Sequence, residues 1–453
     1  MVRWAKVLCL LSVLVLPAGS PAQEGPGEGL SLADAVRIVL QESPLSQIAE
    51  AAVTAAEDGR KSARGDFLPK LRTSLDYTNL NKVPVVSLPE GLAGSLFPAQ
   101  FDAGETQQLN SLTTLEQPLF TGLGLLTQYR VAQLDQQGAD LRQEATRQEL
   151  ILGTYEAYYG VLLAEKYVDV AEQAVTQLTS QAEVARQFYE TGVTAKNEYL
   201  KVLVQLADTK RKRIVASYDL GYARSRLLTL LRWNANESLR LTEQLAYRPY
   251  ERALDECIRL AVQYHPDILL AELDIEKANK AIVGARSRYF PQISLVGGLQ
   301  HEEGGFAEAD EIFSATLHAE WLVWEWGSNY YKVRQEHSRL QQARARKTQT
   351  QDLTELAVRE AYIALEGARE AIGVARVGVE QAEENYRITD EQFKESIATS
   401  QEVLDAQTGL SQAQVNYYQA LKSYTIAIAR LEKAMGVLQE PKPGETDAQA
   451  VSD

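Results

Sequence analysis

The chain is built from two copies of one unit, and a duplication on this scale fixes the architecture before any single motif is weighed. SLADAVRIVLQESPL at residues 31–45 resembles RALDECIRLAVQYHPDI at 252–268, with Pro44 matching Pro266. GDFLPKLRTSL at 65–75 resembles SRYFPQISLVG at 287–297, with Pro69 matching Pro291, so both pairs share an offset of 222 residues. Farther along the offset falls to 204, because LEQPLF at 115–120 aligns with AEWLVW at 319–324 and Tyr189 with Phe393. The 18 residues lost from the second copy fall in one loop, the place where equivalent units tolerate a length change.

Within each copy the hydrophobic period switches twice. Residues 31–66 read as two helices, with Ser31 and Asp34 resembling a capping box and Pro44 opening the second helix. Alternation follows: Leu71, Thr73, Leu75 and Tyr77 share one face, and Arg72, Ser74, Asp76 and Thr78 the other. The second copy repeats this with Ile293, Leu295, Gly297 and Leu299 against Ser294, Val296, Gly298 and Gln300. The returning strands lie at 109–117, where alternation is weak, and 313–321, where it is clear. Each copy therefore supplies one hairpin with one apolar face. Aromatic residues crowd the end away from the hairpin loops, among them Phe67, Phe120, Phe290, Trp321 and Trp324, and such amphipathic rings at one level suit a membrane–water boundary.

No proline interrupts the chain between Pro118 and Pro249 or between Pro291 and Pro441. Each gap holds a run rich in Ala, Gln, Glu, Leu and Arg, long enough for a helix of roughly 60 residues and 90 to 100 Å. Val168, Val175, Ala182 and Tyr189 recur every seven residues beside Ala171, Leu178 and Ala185, and Ile372, Val379, Tyr386 and Phe393 recur beside Ala375 and Ala382. Sustained heptads predict helices paired as coiled coils. Each long helix then breaks, at YETGVTAKNEYL and FKESIATSQEVL, and a second helix runs back to about Leu231 or Met435. The two breaks are helical hairpin tips, about 100 Å from the strands.

Composition narrows the function classes. A chain of 453 residues with 45% hydrophobic and 24% charged residues is globular in character, and a net charge of -15 argues against nucleic acid as a partner. Residues 1–22 carry Arg3 and Lys6 before an apolar run from Val7 to Leu16, the pattern of a secretory signal peptide. Cys9 falls within it, which leaves Cys257 and no internal disulfide. No other apolar run is long enough for a transmembrane helix, so an exported chain of this kind that crosses a membrane does so with strands. His265, His301, His318 and His337 are scattered without metal-ligand spacing, and no nucleophile and base arrangement is visible, so neither enzymatic chemistry nor a cofactor is expected.

Four strands with one apolar face cannot close on themselves, and an open edge is excluded from lipid. Closure takes several chains: two would give eight strands and a filled barrel, three would give twelve and a wider interior. The alternative packs the strands against the helices in a soluble periplasmic coiled-coil scaffold or adaptor. At this point the whole pattern resembles the TolC-like outer-membrane efflux protein family. The resemblance rests on the duplicated order of elements, the Phe-Leu-Pro and Tyr-Phe-Pro triplets at 67–69 and 289–291, the QPLF and WLVW segments, and both tips.

The resemblance implies a mainly α fold with a membrane β-barrel portion, a homotrimer with a twelve-stranded barrel in outer-membrane lipid on a coiled-coil α-barrel tunnel in the periplasm. It implies docking to a periplasmic adaptor (membrane fusion) protein and an inner-membrane transporter, as the passive exit duct of a tripartite efflux or type I secretion system. Repeat 1 is then expected at 23–250, with strands near 69–80 and 108–120, a long helix near 125–188 and a tip near 189–197. Repeat 2 is expected at 251–436, with strands near 291–300 and 311–324, a long helix near 330–392 and a tip near 393–401, followed by a disordered tail at 437–453. Residues 233–250 would link the copies around mid-tunnel. The resemblance also implies a periplasmic constriction formed by acids of the second tip, which places Glu402 and Asp405 there, with Glu198 at the matching place in the first. Some members latch the tips with a tyrosine and an arginine, but Phe393 and Ala398 stand at those positions, which puts such a latch in doubt here.

Overall fold

The structure is a computed structural model that describes residues 29–83, 85–87, 100–102, 104–234, 237, 239–305 and 309–441. The signal peptide expected at 1–22 and most of the tail expected at 437–453 lie outside the described residues. Two short helices, α1 (Leu32–Glu42) and α2 (Pro44–Gly65), lead to the strand β1 (Lys70–Asn79). After a small ladder of β2 (Val85–Ser87) and β3 (Gln100–Asp102), β4 (Gln107–Phe120) returns and continues into α3 (Gly124–Glu190) and α4 (Lys196–Leu231). The second copy follows with α5 (Leu254–Tyr264), α6 (Pro266–Arg286), β5 (Gln292–Glu303), β6 (Ala309–Glu320), α7 (Ser328–Lys394) and α8 (Ser400–Ala434). The ladder of β2 and β3 is one feature that loop composition did not suggest.

Each long helix has 67 residues, about 100 Å at 1.5 Å per residue. α3 packs along α2 in one half and α4 in the other, and α7 packs likewise along α6 and α8. The two short partners of α3 have 22 and 36 residues, about 33 and 54 Å, and α1 sits at the level between them. The heptad seam is buried where it should be: Leu178, Ala182 and Ala185 join Val202, Leu206, Phe393, Val403 and Leu404 in one core cluster near the tips.

A second cluster lies at mid-length, where the linker between the copies is lashed to the residues that lead into α1. Leu30 forms a parallel bridge to Leu241, its N–H donates to the Arg240 carbonyl at 2.7 Å, and its carbonyl accepts from Thr242 N–H at 3.2 Å. The buried Glu243 carboxylate accepts from the Leu32 N–H at 2.8 Å and from the Tyr158 hydroxyl. Glu243 thereby supplies a charged cap for α1 from a remote part of the chain. Burial, then the hydrogen bond to Glu243, pushes the Tyr158 hydroxyl well above the usual tyrosine range, so it stays a donor. The expected Ser31 box is half formed: Ser31 Oγ accepts from the Asp34 N–H, but the Asp34 carboxylate takes the Ser31 hydroxyl and not its N–H. In the second copy His265 replaces Ser43 as N-cap, its Nδ1 accepting from Asp267 N–H at 3.3 Å. Burial lowers the His265 pKa, and the neutral ring is the form that can accept.

The four long strands form one antiparallel sheet ordered β1-β4-β5-β6, so the hairpin of each copy pairs with the other through β4 and β5. β6 stops at Glu320, short of the 324 expected from the sequence, because Glu320 already pairs with Gln292 at the start of β5 and Pro291 before it has no N–H to extend the ladder.

Strand turns into long helix through two consecutive left-handed residues: Gly122 and Leu123 in copy one, Trp326 and Gly327 in copy two. Gly122 is enforced by packing as well as by its φ of 56°, since a Cβ there would lie 2.9 Å from Phe290 Cβ and closer still to the Ser287 carbonyl. Gly122→Ala is therefore expected to destabilise the junction by about 1 to 3 kcal/mol. A thermal melt of the detergent-solubilised protein checks this, and an unchanged midpoint would contradict the packing described.

Candidate functional site: the sheet, its aromatic rim and the helical tips

The register sorts the sheet into two chemically distinct faces. Leu71, Leu115, Gly297 and Ala315 lie in one row, Thr73, Thr113, Leu299 and Phe313 in the next, and Leu295 pairs with Leu317 farther down. The opposite face carries rows such as Arg72, Thr114, Gly298 and Ser314, with Glu116, Thr316, His318 and Glu320 on the same side. The weak alternation of β4 is resolved by its partners, which put Leu109, Thr113 and Leu115 on the apolar face and leave Leu112 among polar neighbours. Leu71, Leu75, Tyr77, Phe313 and Leu317 are all exposed in the single chain. A sheet this apolar on one side and polar on the other, uncovered on both, is a wall between a greasy and a wet compartment.

The five aromatic residues singled out from the sequence sit together at the strand-to-helix junctions. Phe120 and Phe290 meet edge to face with ring centroids 6.4 Å apart, joining the two copies. Phe67 packs edge to face on Tyr129 at 6.2 Å, and Trp321 donates its indole N–H to the Tyr289 carbonyl at 3.1 Å. Trp324 meets Trp326 edge to face at 5.9 Å. All five remain exposed.

At the other end of the long helices the two tips have the same backbone and different chemistry. Gly192 and Ser396 hold the left-handed position, and the N–H groups of Val193 and Ile397 reach back 2.8 Å to the carbonyls of Phe188 and Gln392. α4 then starts at Ala195 with no side-chain cap. α8 starts at Thr399 with a complete capping box: Glu402 accepts from the Thr399 N–H at 2.7 Å and from its hydroxyl at 3.0 Å, and Thr399 Oγ1 accepts from the Glu402 N–H at 3.3 Å. These bonds hold the Glu402 carboxyl below its ordinary range. Asp405 is exposed one turn on and accepts from Gln401 Nε2 at 2.9 Å. Glu198 is paired with Lys201 Nζ at 2.8 Å, so its charge is compensated on its own helix.

Glu402 and Asp405 therefore share one exposed face of α8, while Glu198 is separated from them in chemistry as well as in helix. A groove of about 440 Å³ runs between α4 and α8 beside them, lined by Lys201, Gln205, Leu404, Asp405 and Thr408. Phe393 is buried against Phe188 with centroids 5.7 Å apart, and Ala398 packs on the same cluster. Neither can form a polar latch. The four histidines lie on separate elements, and among the described residues no group of three His, Cys, Asp or Glu side chains could hold a metal ion.

Thr399, three residues upstream of Glu402, is the local sequence signature of this capping box. Thr399→Ala is expected to cost about 1 kcal/mol at the start of α8, read as roughly fivefold faster hydrogen exchange of the first-turn amides. Because the Glu402 pKa is depressed, the cap contributes fully above about pH 4.5 and is lost as the pH falls through the lower folded value. Exchange rates that ignore both the substitution and acidification would contradict the cap.

Comparison with known proteins places this geometry. The family model for outer membrane efflux proteins matches residues 35–231 and 257–437, one segment per repeat. The alkaline protease secretion protein AprF of Pseudomonas aeruginosa is 21% identical over 430 residues, covering 91% of this chain and 85% of that one. The outer membrane protein TolC of Vibrio cholerae is 25% identical over 315 residues, 67% of this chain and 71% of that one. Among solved structures, the outer membrane protein VceC from Vibrio cholerae superposes with a TM-score of 0.73 over 89% of this chain and 96% of that chain, at 15% identity. The fold is thus that of outer-membrane channels with a periplasmic tunnel and not that of a soluble scaffold, and among the described residues no helix is long and apolar enough to cross a membrane. With both repeats matched in order, the chain belongs to the outer membrane efflux protein family.

Proposed function

We propose that three copies of this chain close into a twelve-stranded barrel in the outer membrane and a twelve-helix tunnel in the periplasm. The assembly serves as the passive exit duct for a periplasmic adaptor and an inner-membrane transporter. The observation that carries closure is the unequal burial of equivalent positions. Tyr159 of α3 is 6% exposed, and its equivalent in α7, Ile363, is 70% exposed. Val170 is 5% exposed, and its equivalent Val374 is 76% exposed. On the shorter helices Ile426 of α8 is 5% exposed while Tyr222 of α4 is 74% exposed.

Within the chain, α3 lies against α6 and α8 of the second copy. The same contact repeated between chains would lay α7 of one subunit against α2 and α4 of the next, covering Ile363, Val374 and Tyr222 together. The free edges of β1 and β6 would pair in the same step. Three copies are favoured over two by the polar face of the sheet: an eight-stranded barrel is filled by its own side chains, whereas Arg72, Glu116 and His318 call for a wet interior. The name of the relative AprF, an alkaline protease secretion protein, and that of the outer membrane efflux protein family support a role in export.

At the far end, three α8 starts would gather three copies of Glu402 and Asp405 around the axis, a ring of negative potential at the tunnel mouth that favours cations. Glu198 contributes less, because Lys201 neutralises it. The aromatic rim would sit at the membrane–water boundary.

Two outcomes test this reading. Wild-type protein extracted from outer membranes is expected to give cation-preferring conductance in a planar bilayer, with Glu402→Gln plus Asp405→Asn lowering that preference by several-fold. No conductance would overturn the duct, and an unchanged preference would remove the acids from the constriction. Ile363→Asp plus Val374→Asp is expected to abolish the trimer in native mass spectrometry, since two charges would be buried unpaired at the contact, and an intact trimer would contradict the proposed face.

A further inference from the structure

The sheet carries opposite charge at its two ends. At the hairpin-loop end the described residues include Asp102, Glu105, Glu302, Glu303 and Glu311, with Lys82 the single lysine or arginine among them. At the helix end the sign reverses. Arg64 lies in the last turn of α2, Arg286 ends α6 and Arg288 lies in the 3-10 turn that follows it, Arg130 is in the second turn of α3, and Lys332 and Arg334 are in the first two turns of α7.

All six fall within about 10 Å, measured along the helix axes, of the places where strands become helices. The five arginines are exposed and Lys332 is half-exposed. Among the described residues none of the six has a carboxylate within 4.0 Å: Arg130 donates to Gln133 at 3.0 Å, Arg286 lies 3.4 Å from His337 Nε2, and Arg334 sits over the Tyr330 ring at 5.9 Å. Of the acids at this level Asp66 holds Lys70 at 2.9 Å and Glu325 is half-buried, while Glu320 is exposed with His318 4.0 Å away. Such a surplus of cations is unexpected in a chain of net charge -15.

We propose that these side chains form a cationic collar that binds anionic glycerophospholipid headgroups of the leaflet facing the helices, beneath the aromatic rim. This rests on the outer-membrane placement above. The exposed Leu68, Trp321, Val323 and Trp324 bring acyl chains to the rim, and the collar begins within two helical turns of them. Guanidinium groups suit the partner, because their forked donors match phosphate oxygens and they shed water more readily than an ammonium. Their spread over both copies means that the closed assembly would present cations all round its circumference.

The test reconstitutes the full-length protein in vesicles of mixed phosphatidylglycerol and phosphatidylcholine, extracts it gently and counts the lipids retained on the assembly by native mass spectrometry. Wild type is expected to retain phosphatidylglycerol well above its bulk proportion, with enrichment falling as salt is raised. A surface cation contributes up to about fivefold in preference at low salt. The variant combining Arg64→Gln, Arg286→Gln, Arg288→Gln and Arg334→Gln is expected to lose most of the enrichment while conductance persists. Retention in the bulk ratio by a conducting wild-type channel would overturn the collar and leave the duct standing, whereas a protein that enters neither lipid would overturn both. Displacement of the lipid by soluble glycerol phosphate at equal concentration would show a site for free phosphate and would also overturn it. Should the variant fail to assemble, the salt dependence of the wild type decides.

Discussion

Backbone hydrogen bonding at the two edges of one sheet governs the rest of this structure. Among the described residues β1 and β6 each present a row of N–H and C=O groups with no strand partner, and β4 and β5 are paired on both sides. In water such edges are a liability, and in hydrocarbon each unmade bond costs several kcal/mol. A sheet with a greasy face must enter lipid or be covered, and the long helices do not cover it. Under the proposed closure, this demand for a partner at each edge is what would turn a four-stranded fragment into a subunit.

The duplication supplies the partner's shape. Inside the chain the first copy meets the second across β4 and β5, α3 and α6, and α3 and α8, so the chain displays one example of the contact proposed for its free surfaces. Positions that agree in both copies maintain the shared unit: Tyr158 and Tyr362, or Leu227 and Leu431, are apolar or aromatic in either copy. Positions that differ mark where the two contacts diverge. Gly122 needs to lack a side chain because Phe290 and Ser287 press on it, whereas its equivalent Trp326 is open to solvent in the single chain. The tips follow the same logic, with Phe393 buried between copies and its equivalent Tyr189 exposed and stacked on Tyr199 at 6.2 Å.

Much of this was legible in the sequence because the governing signals are periodic. The constant offsets, the heptads through Leu178 and Ala185, and the alternation through Leu71 and Leu75 each repeat often enough to survive a single discordant residue. What escaped the sequence depends on contacts between distant residues. Nothing local to Glu243 announces that it caps α1 and takes a hydroxyl hydrogen bond from Tyr158, since the three groups lie far apart in the chain. Leu109 and Leu112 could be assigned to faces only through their ladder partners. At the tips, Glu198 and Glu402 look equivalent in the sequence, but one pairs with Lys201 and the other with Thr399, because Ala195 stands where the second copy has its threonine.

Amide hydrogen exchange along the sheet of the purified protein in detergent tests the central claim most directly. If neighbouring copies complete the sheet, the outward amides of β1 and β6 should exchange as slowly as those of β4 and β5. Fast exchange confined to the outer rows of β1 and β6, with β4 and β5 protected, would mean that the edges stay open and would contradict closure between chains.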